Sequence, residues 1–479
     1  MGACGVIHHI LLLGFAALLL PRVGSSRYIQ SKQPIVRTYE LSVSFFPDEH
    51  RIEGQAAISF EPAADSLLEL VFYLHGELSV ESVGVDSAAV PFVQDRVFYE
   101  YDYSLVATRV VVDLAGIDFG RQLHTRYSGY FNPSKARSPS DYMRIDHDGV
   151  YLRSYGYSLW FPVFLEAGDD DYRVSFTNVT LTTPKQYSAV FVGERLSDTV
   201  SDDRRVSEWR AIDVPIVAAQ CTAHRFSVDR DGSYFVYAWP DEHSLAIVPQ
   251  LHAFASRFTD LLRRHYRAKA ETEQIHIVQM PRYGDISSGN VVGMASASWL
   301  DFGTDDYARQ TLAHEFVHPF VAVPTGSKDP MRTLVLEGFP SYFHWPLLAA
   351  LTGETHYDRH MDAVQQQYLE KKSTGRGRRG KALPPEKPLT RISEDEIGIY
   401  KDRFVLDDRV VLFFDYLRRR MGSDRFLLFA HQLLNRDALD REAFQELVLS
   451  YTPGAAEDLR LWLDTNEYPT RFHRQISGG

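Results

Sequence analysis

The sequence predicts a multidomain protein, an N-terminal antiparallel β saddle or sandwich followed by a mainly α-helical domain. Three observations lead there. At 479 residues the chain is too long for one compact core. Apolar and polar residues alternate with period two as far as about residue 225, and helical spacing takes over beyond it. The composition, 44% hydrophobic, 13% aromatic and 24% charged, is that of a folded globular chain.

The first element is the apolar run "VIHHILLLGFAALLL", closed by Pro21, Arg22 and the small residues of "VGSS". It is too short and too quickly broken for a membrane span, and it reads as an export signal over residues 1–25, cleaved near Ser25. The expected location is therefore extracellular or periplasmic. No basic residue precedes the apolar core, so an uncleaved N-terminal anchor is the alternative, and membrane contact is expected only in that case. Cys4 would leave with the signal, and Cys221 alone can form no internal disulfide. A net charge of −12 repels phosphate and argues against a nucleic-acid partner.

Residues 26–225 read as the β domain. "TYELSVSFF" and "RIEGQAAISF" alternate across the turn "PDEH", which puts Ile52, Ala56, Ile58 and Phe60 on one face. Gly54 within the second strand marks a bulge or a close backbone approach. "TRVVVDLAG", "QLHTRYSGY", "GVYLRSYG" and "YRVSFTNVTL" continue the pattern, as an antiparallel sandwich or saddle requires.

Residues 226–479 form the second domain. "SLAIVPQLHAFASRFTDLLRRHYRAK" places Leu251, Phe254, Phe258, Leu261 and Leu262 at helical spacing. "QIHIVQMPR" and "NVVGMASASWL" read as two short strands, and the remainder as helices. Residues 371–388, "KKSTGRGRRGKALPPEKP", read as a solvated basic loop.

The chemistry is concentrated in "TLAHEFVHPF", residues 311–320. On a helix, His314 and His318 lie one turn apart on one face and can turn ring nitrogens toward a single ion. Glu315 flanks that ion without ligating it, the arrangement in which zinc hydrolases use a glutamate to take a proton from water. Pro319 disfavours helical geometry at His318, so the helix is expected to kink or stop there. Catalytic zinc needs a third protein ligand.

Eighteen residues after His318 comes "LEGFPSYF", with Glu337. H-E-x-x-H followed at this distance by E-G-F-x-S-Y resembles the gluzincin aminopeptidases, relatives of aminopeptidase N and leukotriene hydrolase. The strands "RIEGQAAISF" and "LHTRYSGY" and the "WFP" at residues 160–162 are similar to that family's N-terminal saddle. The resemblance, over residues 35–435, implies a thermolysin-like second domain and one zinc ion per chain, held by His314, His318 and Glu337. It further implies Glu315 as general base and a peptide substrate, cleaved by zinc-activated water.

Three departures from the family bear on specificity. Where the family reads G-x-M-E-N and its glutamate holds the substrate's free amine, this chain keeps Gly293 and Met294 but has Ala295 and Ser296. Gly293, Met294 and Ala295 are the expected substrate-binding positions, and without the carboxylate a zinc endopeptidase, or another amide or ester hydrolase, stands beside the aminopeptidase. A non-catalytic binding protein on the same fold is the remaining alternative, against which Glu315 speaks. The family's oxyanion-stabilising tyrosine has two counterparts, Tyr400 by distance and chemistry, and Asp407 by the register of "VVLFFDYLRRRMG". The family's long helical C-terminal domain has no counterpart before Gly479.

Overall fold

The computed structural model describes residues 35–60, 69–86, 88–99, 102–115, 122–131, 143–152, 159–164, 173–266, 273–281, 286–320, 331, 334–375, 387–391, 405–436, 439–466, 468 and 470–474. The expected signal segment, residues 1–25, lies outside them. Among the described residues no helix is long and apolar enough to cross a membrane.

The N-terminal part is built on an eight-stranded sheet. Its strands run in the order Glu194–Ser201, Arg204–Pro215, Arg173–Pro184, Val36–Phe46, Arg51–Phe60, Gln122–Tyr130, Leu78–Val85 and Ala88–Ala89. The alternation read from the sequence is the alternation of burial: Ile52, Ala56, Ile58 and Phe60 all face the core. The turn between the first two strands is a short 3-10 segment, Pro47–Glu49, closed by His50 in the left-handed region at φ 55. Gly54 is a close approach rather than a bulge. Pairing runs through it without a shift, and an added Cβ would lie 2.1 Å from the Tyr127 ring.

One pair in this sheet departs from the antiparallel expectation: Val36–Phe46 runs parallel to Arg173–Pro184. A parallel neighbour needs a long crossover, and the more than one hundred residues between these strands supply it. A three-stranded sheet (Glu69–His75, Asp102–Asp113, Phe92–Tyr99) and a four-stranded one (Ser188–Phe191, Cys221–His224, Gly149–Leu152, Met143–Asp146) complete this part. Trp160 and Phe161 are fully buried in its core, and the Trp160 indole donates to the Ala219 carbonyl at 2.9 Å. Cys221 is buried too, and burial pushes its thiol well up, out of the reactive range.

At Ser227 the chain enters a different sheet, in the order Ser227–Asp231, Tyr234–Ala238, Ile275–Met280, Val291–Ala295 and Ile286–Ser288. Its three central strands are parallel and both outer pairs antiparallel. Helix α1 (Glu242–Tyr266) packs on it with Leu251, Phe258, Leu261 and Leu262 buried. The stretch "NVVGMASASWL" is not one strand. It turns helical after Ala295 as α2 (Ser296–Asp301), because Ser296 donates to the Met280 carbonyl at 2.7 Å and Trp299 buries its ring with its N–H on the Ser244 carbonyl.

The remaining α-helices among the described residues are α3 (Asp306–Val317), α4 (Phe339–Thr352), α5 (Glu354–Thr374), α6 (Val411–Met421), α7 (Ser423–Leu434), α8 (Arg441–Tyr451) and α9 (Ala456–Asp464). They share one core with α1, rich in Phe316, Phe339, Phe343, Phe414 and Trp462. The stretch expected to be a basic loop is still helical at residue 371, since α5 continues to Thr374 and ends on Gly375 in the left-handed region. Lys371 is not solvated either: its ammonium meets the buried Asp408 at 2.5 Å. Residues 376–386 of that stretch lie outside the described residues.

Candidate zinc site

Helix α3 sets the first two candidate ligands. Asp305 starts it by accepting the Tyr307 N–H at 2.9 Å, a side-chain cap that satisfies one orphan donor of the first turn. Leu312, Ala313, Phe316 and Val317 anchor its inner face in the core. His314 and His318 then project together from another face, with their Nε2 atoms 3.2 Å apart. The α-helix stops at Val317 and a 3-10 turn His318–Phe320 takes up Pro319, but His318 itself keeps right-handed helical geometry at φ −51 and ψ −48, against the expectation that the proline would exclude it.

Glu337 arrives from the facing element. It sits in a π-helical turn, Leu334–Gly338, that runs straight into α4, and α4 packs against α3. Gly338 belongs there for steric reasons: a Cβ would come within 2.8 Å of Val410 and 2.9 Å of Leu334. The Glu337 carboxylate lies 4.0 Å from His314 Nε2, and one donor atom each from His314, His318 and Glu337 falls within 4.8 Å of the others.

These separations suit one ion. Two donors at about 2.1 Å from a shared zinc stand roughly 3.4 Å apart in tetrahedral geometry, between the two distances observed. The donor set of two imidazoles and a carboxylate is one zinc accepts, leaving a fourth position for a reacting group. Burial lowers His318 to about 4, so the ring is neutral at pH 7 with a lone pair to give. Glu315 is 8% exposed and holds its carboxylate 3.9 Å from His318 Nε2, alongside the triad and outside it.

The structure brings together His314, Glu315, His318 and Glu337. Gly293, Met294 and Ala295 close the strand Val291–Ala295, beside the edge strand Ile286–Ser288, and α3 packs against both strands. Tyr400 lies outside the described residues, and Asp407 belongs to a second π-helical turn, Val405–Val410, with its side chain outside them. That turn packs on the one bearing Glu337.

Sequence reasoning missed His344. It lies seven residues beyond Glu337, two turns along the same helix face, and that spacing was the available signal. Its ring centroid is 5.8 Å from that of His314, and its Nδ1–H donates to the Pro340 carbonyl at 2.7 Å. Burial lowers it to about 4.

No protein-family model and no curated protein sequence matches the chain. Solved structures do. An M1 zinc metallopeptidase mutant from Deinococcus radiodurans superposes with a TM-score of 0.64 at 17% identity, over 92% of this chain and 97% of that one. The same enzyme's mutant bound to a Tyr-Ser-Ala substrate gives 0.64 at 18%, over 91% and 96%. Leukotriene A4 hydrolase from Saccharomyces cerevisiae gives 0.66 at 17%, over 94% of this chain and 71% of that one. The chain has the fold of the M1 zinc metallopeptidases and leukotriene A4 hydrolase, a β-rich N-terminal part followed by a helical one.

Proposed function

We propose that the chain is a zinc-dependent metallopeptidase, with His314, His318 and Glu337 as zinc ligands and Glu315 as general base. The convergence of three donor atoms, with a nearly buried carboxylate beside them, carries the reading. The shared fold supports it, since solved structures with this fold include zinc metallopeptidases and a leukotriene A4 hydrolase.

Zinc in this site would supply Lewis acidity, polarising the scissile carbonyl and acidifying water. Glu315 is placed to take a proton from the attacking water and return it to the leaving amine. Its low exposure keeps bulk solvent from competing for that proton. The strand Ile286–Ser288 is the sheet's edge next to α3, so an extended peptide could add its main chain there and lie across Glu315. Gly293, Met294 and Ala295 would line the start of that track. Ala295 carries no charge for a free amine, which favours a peptidase indifferent to the substrate's N-terminus over a strict aminopeptidase.

Export through residues 1–25 and a domain division at residues 225–226 belong to the same proposal. The zinc reading is tested by elemental analysis of purified protein, with and without His314→Ala, alongside a panel of peptides. About one zinc per chain that falls away in the variant, with peptide hydrolysis in the wild type only, is the expected result. A wild type that holds no zinc after reconstitution would sink it.

A further inference from the structure

Tyr468 and residues 470–474 are strapped across α5 and α6 by a dense set of polar bonds. Arg474, whose side chain is 11% exposed, donates through Nη1 to Asp415 at 2.7 Å, through Nη2 to Asp358 at 2.6 Å and through Nε to Asp362 at 2.9 Å. Its backbone N–H donates to Gln365 Oε1 at 2.6 Å, and the Gln365 amide donates back to the Arg474 carbonyl at 3.2 Å. Tyr468 joins through Gln365 at 3.2 Å, and Arg419 donates to the Phe472 carbonyl at 2.9 Å.

The centre of this arrangement is Asp415, fully buried on α6. A buried carboxylate costs several kcal/mol unless its lone pairs are filled by charged or hydrogen-bonding partners. Arg474 and Arg419 fill them, Arg419 Nε at 2.9 Å, and the Tyr357 hydroxyl adds a third bond at 2.9 Å. A phenol has one proton. Tyr357 spends its proton on Asp415, so the 2.9 Å contact between the Tyr357 and Tyr342 hydroxyls must be donated by Tyr342. The bonds therefore run in one sense: Tyr342 to Tyr357 to Asp415, where the two guanidinium groups meet them.

Tyr342 is fully buried on α4, five residues past Glu337, or about 7.5 Å along the helix axis. Its ring stacks on Phe414 of α6 at 5.4 Å, and the turn ahead of it is pressed against Val410 at Gly338. Where α4 sits on α5 and α6 therefore sets where the Glu337 carboxylate reaches.

We propose that Arg474 is a positioning residue that clasps residues 470–474 onto Asp415 and, through Tyr357 and Tyr342, holds the Glu337 helix in its zinc-ligating place. This inference rests on the zinc reading above. A helix free to shift by a few tenths of an ångström would let the carboxylate leave the ion more often, and the effect appears in the rate of zinc release.

The experiment loads full-length protein with zinc and follows transfer to the chromogenic chelator 4-(2-pyridylazo)resorcinol, with thermal unfolding measured in parallel. Arg474→Ala and Tyr357→Phe are each expected to release zinc about tenfold faster, the lower end of what outer-shell partners contribute to metal affinity. Arg474→Lys, which can keep one ion pair, falls between them and the wild type. Tyr357→Phe preserves ring volume, so it answers even if Arg474→Ala does not fold. Arg471→Ala is the control: Arg471 pairs with Asp458 at 2.9 Å rather than with Asp415, and its loss should lower the melting temperature without speeding release. Unchanged release from Tyr357→Phe overturns the proposal and leaves the zinc reading standing. A wild type that retains no zinc overturns both.

Discussion

Glu315 shows at the scale of one residue why position and chemistry must be argued together. It is nearly buried beside the two histidines, with its carboxylate 3.9 Å from His318 Nε2. Glu315→Gln keeps that shape and removes the basic oxygen. We expect full zinc content with peptide hydrolysis slowed by about a hundredfold or more, the usual contribution of a positioned base. Wild-type turnover in the variant would end the general-base assignment. Ala295 makes a second residue-scale prediction. A cationic amine held at the strand end without a carboxylate partner would be costly, so acetylated and free peptides of one sequence should be cleaved at about equal kcat/KM. A strong preference for the free amine would mean that another acidic group reaches the site. The two histidines were legible from their four-residue spacing on a helix, and Glu337 through the resemblance that the following E-G-F-x-S-Y carries. His344 was not, since its relevance depends on how α4 lies against α3.

Elements fold as read where local pattern decides, and depart where distant contacts do. The period-two run at residues 51–60 became a strand with its apolar face buried because that face had only one way to leave water. The parallel pairing of Val36–Phe46 with Arg173–Pro184 was not legible, because nothing local records which strand a crossover meets. The π-helical turns at Leu334–Gly338 and Val405–Val410 were equally hidden; each interrupts a pattern that reads as continuous helix, and each adjoins the site. The basic stretch at residue 371 misled because charge density resembles solvation until a partner is known. Burial pushes the Asp408 carboxyl up, and the Lys371 ammonium pulls against it. Lys371→Met leaves that carboxylate uncompensated and should cost about 3 kcal/mol at pH 7. With its partner gone, Asp408 binds a proton more tightly folded than unfolded, so the loss should shrink as pH falls through its folded pKa. Urea unfolding of wild type and variant at pH 7 and pH 5 measures this; a loss that grows in acid would contradict it.

Across the whole molecule, the β-rich part and the part that carries the candidate site meet at a buried polar seam. Asn290 accepts the Gly193 N–H at 2.7 Å and donates to the Gly193 carbonyl at 2.8 Å, while Gln274 accepts the Arg195 N–H at 2.9 Å. His276, fully buried, completes the seam: Nε2–H donates to the Gly193 carbonyl at 3.2 Å, and Nδ1 accepts from the Tyr237 hydroxyl at 3.3 Å. Both ring nitrogens are satisfied only in the neutral form, and burial lowers its pKa to about 3. His224 and His360 are held down by burial as well, to about 4 and about 3. The direction of the linkage follows. As pH falls below about 6.5, the unfolded chain binds these protons and the folded one does not, so stability present at neutral pH is lost between about 6.5 and the folded values. Each such histidine can contribute up to about 1.4 kcal/mol per pH unit over that window. His276→Gln keeps an amide donor and acceptor near the same partners and titrates nowhere in the range. Whatever its stability at pH 7, the slope of unfolding free energy between pH 6.5 and 4 should flatten by up to about 1.4 kcal/mol per unit, measured by urea unfolding of metal-free protein. A slope identical to wild type would show that His276 already takes up its proton in the folded seam.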